Sequence, residues 1–392
     1  MPELGFIVAV IRSVISGRTD PTVARWLETG LNWQNLVTLG LEQKILPLLA
    51  AGATGICSFA FPVSLQAALR TYASNLDETN HRKICALADA LATLQSDGIT
   101  GLSFKGFTLT NQAYGSGLTR DVNDLDVLVP PGGFTDALRV FTNQGYTIDR
   151  RHAKAVEVHV FFPADLDDLV LDVHCGFAGP QFPAPHDIDG FLERAVTIEI
   201  GEHRVRTLDP ADHLIVLSIN LIKQFVMNEP TLRNLADIAA LAKAGGEATV
   251  QSAIDRAAEQ GLKAVILIAL ANATALFGPT SSALEHGPGM ERYLFVYDRR
   301  YVRDCATPAI SPFSIWRWPL LWHVHVRWRD KITRGIGRHL TWMAKTVFSV
   351  TENDVAFVKL PSSCRFLYPI IRPVRLLLVT AQRVRDRHDD SA

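Results

Sequence analysis

Three features of the sequence predict an α+β fold, with one small mixed β-sheet core set between helical regions. Residues 1–97 carry apolar side chains at helical spacing. Residues 98–206 alternate short apolar runs, punctuated by Gly and Pro, with two short helical stretches. Residues 207–300 return to a helical pattern, and 301–392 form a basic, Trp-rich C-terminal region.

In the first region Leu31, Leu36, Leu39, Leu41, Ile45 and Leu48 recur at helical spacing. Pro62 stands near the start of the next helical run. Thr71 to Gln95 alternates polar and apolar residues with a period of roughly 3.6, as an amphipathic helix does, and Gly98 closes it. At Ile99 the character changes. Ile99 to Phe104 is short, apolar and flanked by Gly, so it reads as a strand, followed by a helix over Gly106 to Tyr114. Leu125 to Val129 is a second strand, stopped by Pro130-Pro131-Gly132-Gly133, and Phe134 to Asn143 a second helix. Ala155 to Phe162 and Leu169 to His174 are further strands, with Asp165, Asp167 and Asp168 in the turn between them. After a Pro-rich connection near Gly179 to Pro185 comes one short β-like piece, Ala195 to Val205. Helices then occupy Pro210 to Val226, Thr231 to Lys243, Thr249 to Gln260 and Leu262 to Phe277. Asp209-Pro210 has the N-cap and first-position chemistry of a helix start.

Composition narrows the class. Hydrophobic residues make up 48% and charged residues 20%, a globular balance rather than a disordered one. A length of 392 suits about two or three compact units. The net charge of −1 gives no global sign of nucleic acid, yet 313–385 hold 13 Lys+Arg against 3 Asp+Glu, a local +10. Five tryptophans there (316, 318, 322, 328 and 342) alternate with Arg and Lys. That mixture serves either to stack on and neutralise nucleic acid or to rest on an anionic membrane surface, and equally forms a helical lid with a solvated basic face. The cysteines, Cys57, Cys85, Cys175, Cys305 and Cys364, are scattered and make no C-x-x-C pair, which argues against a zinc ribbon or a disulfide framework. The Met-Pro-Glu-Leu start lacks a basic n-region. The longest apolar run, Ala264 to Phe277, falls short of the roughly 20 residues of a membrane span. A soluble cytoplasmic protein without a transmembrane segment is expected.

The chemistry concentrates between Phe104 and His174. Asp124 and Asp126 lie two apart at the start of a β run, so strand alternation puts both carboxylates on one face. Carboxylates placed side by side repel unless a cation lies between them, and such oxygen-rich sites suit Mg²⁺ or Mn²⁺. Asp172 and His174 share a face of Leu169 to His174 in the same way. If the two strands are neighbours, three carboxylates converge, as two-metal phosphoryl transfer requires. Upstream, Lys105-Gly106 sits at a strand-to-helix junction, where free N–H groups and the helix dipole favour phosphate. Lys105, Gly106, Thr108 and Arg120 are the candidate phosphate contacts.

The order K-G-x-T, then R-x-x-x-D-x-D, then D-x-H on a later strand resembles the DNA polymerase β-like nucleotidyltransferase superfamily. Within it the chain is similar to a bacterial branch reading L-K-G, R-x-x-x-D-I-D-x-L-V and I-E-x-H-W. Leu31-Asn32-Trp33, Leu46-Pro47-Leu48-Leu49, Leu360-Pro361 and Phe366 to Leu376 extend the likeness over most of residues 25 to 380. The resemblance implies a polymerase β-like core. It implies NMP transfer from an NTP to an acceptor (a small molecule, peptide or protein), with Asp124, Asp126 and Asp172 both catalytic and metal-ligating. The chain departs from the pattern at three places: Phe107 follows Gly106 where Gly or Ser is usual, Asn123 replaces Ser, and Cys175 replaces Trp.

Plainer readings stand beside these. A lone D-x-D is usually a solvated turn, and His174 fits packing as well as function. Glu157 and His159 share a face of the neighbouring strand. Arg233 and Asp237 are an i,i+4 helix pair, at a place where the resembling family also has an Asp. Two other functions compete: a D-x-D glycosyltransferase, which calls for a Rossmann-like unit before the motif, and a non-catalytic nucleotide- or partner-binding scaffold, for which Phe107 is the argument. The enzyme reading requires the Phe107 ring to turn away from the phosphate, into the core beside Leu109.

Overall fold

The computed structural model describes residues 2–115, 120–149, 156–163, 169–179, 182–227, 229–279 and, towards the C-terminus, most of 352–376 with single positions at 340, 344, 348, 350 and 378. The tryptophans and interleaved cations of 313–342 lie outside the described residues, as do Asp165, Asp167 and Asp168.

Five helices open the chain: α1 (Pro2–Ser16), α2 (Thr22–Leu27), α3 (Trp33–Glu42), α4 (Leu46–Thr54) and α5 (Val63–Ser96). Asn32 caps α3 by accepting a hydrogen bond from the Asn35 N–H, and Pro47 sits in the first turn of α4, where its missing N–H costs nothing. Then follow β1 (Leu102–Ser103), α6 (Gly106–Tyr114), β2 (Asp124–Leu128), α7 (Phe134–Asn143), β3 (Thr147–Ile148), β4 (Glu157–Phe161), β5 (Val170–His174), α8 (Ile188–Glu193), β6 (Val196–Ile200) and β7 (His203–Thr207). The helices α9 (Pro210–Met227), α10 (Leu232–Glu259) and α11 (Lys263–Phe277) complete the main body, and α12 (Glu352–Phe357) lies near the C-terminus.

All seven strands join one mixed sheet in the order β3-β4-β5-β2-β1-β7-β6. The pairs β2–β5 and β1–β7 are parallel and the others antiparallel. Two expectations change here. The strand over Ile99 to Phe104 shrinks to two residues. The single β-like piece becomes a hairpin turning at Gly201, whose φ of 59° suits a residue without Cβ. The two helices expected on either side of Gly246 are present: the span Leu232–Glu259 is interrupted by non-helical backbone at that glycine, φ 70°.

The sheet has two unlike faces. Leu125, Val127, Val158, Val160, Leu171 and Val173 point to one side and bury against Ala86, Leu87, Ala90 and Leu94 of α5 and Ala137 and Phe141 of α7. The alternate positions point the other way and carry Asp124, Asp126, Asp172, His174, Glu157 and His159. A second, larger core joins α1, α3 and α4 to α9, α10 and α11, with Phe6, Ile7 and Leu49 packed in one cluster with Leu217, Ile238 and Ile266. Lys243 donates to the Ile15 carbonyl at 2.8 Å across the two regions.

Candidate active site

The site forms where the polar sheet face meets the β1–α6 turn. In the parallel β2–β5 pair, Asp126 stands opposite Asp172 and Leu128 opposite His174. In the antiparallel β4–β5 pair, His159 stands opposite Asp172 and Glu157 opposite His174. Asp126, Asp172 and His174 place ligand atoms within 4.8 Å of one another, and so do Glu157, His159 and Asp172. Asp126 and Asp172 are each 5% exposed while Asp124 is exposed, so the carboxylate row runs from solvent into the protein.

Each buried carboxylate has partners. Lys105 Nζ lies 2.8 Å and His174 Nε2 3.0 Å from Asp126 Oδ1. Burial by itself raises Asp126, but the Lys105 charge and the His174 hydrogen bond outweigh it and hold the carboxyl below its ordinary range. Asp172 accepts a hydrogen bond from His159 Nδ1. Burial nevertheless pushes it upward, opposed by that bond and helped by the charge of Asp126. His174 Nδ1 is buried without a hydrogen-bond partner, 3.9 Å from Glu157 Oε2.

The segment leading into β2 is anchored from behind. Lys83 of α5 donates to the Val122 carbonyl, and Asn80 Nδ2 reaches the Arg120 carbonyl at 3.5 Å. Arg120, 8% exposed, pairs through Nη1 with Asp237 of α10, whose other oxygen accepts from the Tyr114 hydroxyl at 3.1 Å. Burial first, and then Asp237, drive the Tyr114 phenol well above its usual value. The expected i,i+4 pairing of Arg233 with Asp237 is therefore replaced: Asp237 turns to Arg120, and Arg233 Nη1 reaches only the Asp121 carbonyl, at 3.4 Å.

The phosphate-turn candidates divide. Lys105 has φ 59° and ψ −148°, a backbone conformation that residues with a Cβ rarely adopt. Its N–H donates to His213 Nε2 at 2.8 Å. Since a backbone N–H can only donate, Nε2 is the bare nitrogen, and Nδ1–H donates to Gln112 Oε1 at 2.7 Å. Burial, and then the charges of Arg120 and Lys105, push His213 down to about 3, so the ring is neutral. Gly106 follows at φ 39°, and a Cβ there would lie 3.3 Å from Val122 Cγ1. Its lack of a side chain thus serves the backbone and Val122, not only the approach of a phosphate. No side chain caps the N-terminus of α6. Thr108 is fully buried, its hydroxyl donating to the Lys105 carbonyl at 3.0 Å. Phe107, 1% exposed, does turn away, but into the sheet-side core with Val122, Leu125 and Val127; Leu109 lies in the other core.

A cleft of about 210 Å³ opens at the β1–α6 turn and the Asp124–Asp126 end of the carboxylate row, while Asp172 and His174 are not among the residues that line it. Lys44, Lys105, Gly106, Arg120, Asp124, Asp126 and Arg233 line it, with Asp121, Val122, Asn123, Asn220, Gln224 and Glu229. Lys44 and the α9 residues were not singled out from sequence. His213 left a trace there, since Asp212-His213 is a polar interruption in the apolar run from Pro210 to Val226. Such a chain can hold divalent cations and polyphosphate side by side.

No curated protein matches the chain. A family model described as "Uncharacterised nucleotidyltransferase" matches residues 29–278, from before α3 to the end of α11, and so takes in the whole sheet, the carboxylate row and the β1–α6 turn. By that match, over more than half of its length, the chain belongs to this nucleotidyltransferase family.

Proposed function

We propose that the protein is a metal-dependent nucleotidyltransferase that moves NMP from an NTP to a hydroxyl, phosphate or amine of an acceptor, by two-metal phosphoryl transfer on a polymerase β-like core. The observation that carries the reading is the register of β2 and β5. It sets Asp126 against Asp172 on one face, with Asp124 at the outer end of the row, beside the uncapped start of α6. The donor set fits Mg²⁺ or Mn²⁺: ligand oxygens of Asp126 and Asp172 and a nitrogen of His174 lie within 4.8 Å of one another, with Asp124 two residues before Asp126 on the same strand face. Asp124, Asp126 and Asp172 would hold the ions, which when bound lower the pKa of the attacking group and neutralise charge on the leaving pyrophosphate.

The chain's own groups divide the remaining work. The N–H groups of Gly106, Phe107 and Thr108 at the start of α6 bind phosphate. Lys105 exchanges Asp126 for a phosphate oxygen when the nucleotide arrives. Arg120 adds fixed positive charge to the cleft wall. Asp172 accepts the acceptor's proton. With Phe107 buried, the turn presents backbone to the cleft, which removes the steric argument for a scaffold. Before the D-x-D lie six helices, one short strand and a Lys-Gly turn rather than a Rossmann-like unit, which disfavours a glycosyltransferase.

The test is incubation of the purified protein with each labelled NTP and Mg²⁺ or Mn²⁺, following pyrophosphate release and transfer of label to itself or to added acceptors. Release that depends on the metal and disappears in Asp126→Asn supports the reading. Absence of binding and turnover with all four NTPs overturns it.

A further inference from the structure

The cleft holds four cations, and they are not alike. Lys105 is paired with Asp126 and Arg120 with Asp237. Lys44 and Arg233 have no carboxylate within ion-pairing distance among the described residues, and Arg233 makes a single long hydrogen bond, to the Asp121 carbonyl. The two come from distant parts of the chain. Lys44 lies between α3 and α4, and Arg233 in the first turn of α10.

Lys44 also has an unusual backbone. Its φ is 55°, left-handed, and Lys44 and Lys105 are the two non-glycine residues with positive φ among the described residues. Both line the same cleft. The turn is held by the Lys44 N–H on the Leu41 carbonyl at 3.0 Å and the Ile45 N–H on the Gly40 carbonyl at 2.8 Å. Gln43 and Ile45 on either side are buried, at 9% and 0% exposed, while Lys44 itself is exposed. The end of α3 favours a cation, but the conformation there favours glycine. A lysine at this position costs stability that its side chain does not recover in any ion pair among the described residues. Backbone strain of this kind is concentrated at functional positions.

We propose that Lys44 and Arg233 form an anion clamp for the terminal phosphates of a nucleoside triphosphate, in the cleft that the β1–α6 turn also lines. This rests on the nucleotidyltransferase reading for the identity of the anion, but the clamp itself rests on the two unpaired cations. It assigns a substrate-binding role to the turn between α3 and α4. Burial, and then the like charge of Arg120, bring Arg233 down to about 10, and a bound anion opposes both effects.

The test is calorimetric titration of wild type, Lys44→Met, Lys44→Gly, Lys44→Arg and Arg233→Met with Mg²⁺-ATP, AMP and inorganic pyrophosphate, alongside thermal unfolding. Lys44→Met and Arg233→Met should each weaken ATP and pyrophosphate about tenfold or more, the usual value of a charge-assisted hydrogen bond, and leave AMP unchanged. Lys44→Arg should retain most of the affinity. Lys44→Gly should lose the same affinity while unfolding at a higher temperature than wild type, a combination that a purely structural lysine does not produce. ATP binding that is unaffected in Lys44→Met and Arg233→Met overturns the clamp and leaves the enzyme reading standing. Pyrophosphate binding that depends on both residues, without binding of any NTP, keeps the clamp and overturns the enzyme reading. Wild type that binds neither ligand overturns both.

Discussion

His213 couples stability to pH in a way that can be worked out in advance. An ordinary histidine titrates near 6.5, and His213 in the folded protein is pushed down to about 3. Between these values the unfolded chain binds a proton that the native state refuses, so stability falls as pH falls. The contribution is complete above pH 6.5 and is lost progressively towards pH 3. Each unit of difference is worth 1.36 kcal/mol, so the full window amounts to roughly 4–5 kcal/mol. Between pH 7.5 and 5 the loss is about 2 kcal/mol. Since His213 is fully buried, solvent screening does not discount this figure. His213→Gln keeps an acceptor for the Lys105 N–H and removes the titration. Urea unfolding of both proteins at pH 7.5, 6 and 5 isolates the histidine, because the distant carboxylates act alike in each and cancel in the difference. Wild type should lose about 2 kcal/mol more than His213→Gln over this range. Parallel loss in the two proteins would refute the neutral, Nδ1-protonated His213 and its role in holding the Lys105 turn.

Asp126→Asn should abolish pyrophosphate release and, by stranding Lys105 beside a neutral amide, cost about 2–4 kcal/mol in denaturant unfolding; unchanged stability would show that the Lys105–Asp126 pair contributes nothing. Asp172→Asn should reduce turnover far more than NTP affinity, and equal losses of NTP binding in Asp172→Asn and Asp126→Asn would contradict the division of labour between them. Phe107→Ala should destabilise by roughly 3–5 kcal/mol, as expected for a buried aromatic, with calorimetric NTP affinity preserved. A gain of affinity would mean that the ring obstructs the phosphate turn. Arg120→Met should cost about 3–5 kcal/mol by leaving Asp237 buried without its cation, and Asp237→Asn should restore part of that loss when added to it, which a double-mutant cycle measures.

Much of this molecule is written locally in its sequence. The helices over Gly106–Tyr114 and Phe134–Asn143 begin and end where their Gly, Pro and polar neighbours say they should. Period-two alternation is enough to put Asp124 with Asp126, and Asp172 with His174, on common faces, because side-chain direction in a strand depends on nothing beyond the strand. What alternation does not contain is which strands are neighbours. That Asp126 faces Asp172 depends on β5 lying parallel to β2 in one particular register, which the crossover through α7, β3 and β4 decides. The two-residue strands β1 and β3 exist because neighbouring strands offer them partners; as sequence they carry no usable period.

The site shows the same division. The ordered Lys105-Gly106, Arg120, Asp124, Asp126 and Asp172 are legible as candidates because metal and phosphate chemistry restricts residue type. The enzyme reading required the Phe107 ring to turn into the core beside Leu109, but α6 has an apolar core on either side, and only packing placed the ring with Val122 and Leu125 rather than with Leu109. Arg233 is spaced to pair with Asp237 along its own helix, yet a buried carboxylate takes the partner with the better geometry, and Arg120 and Tyr114 reach it from more than a hundred residues away. His213 and Lys44 act across similar separations. Their roles come from where the chain brings them, since the residue types alone, one histidine in a helix and one lysine at a helix end, are ordinary. The sequence by itself determined the reactive groups and the faces they occupy; the tertiary structure decided which charges are already paired and which remain open to a ligand, because pairing depends on distances between segments that no local pattern encodes.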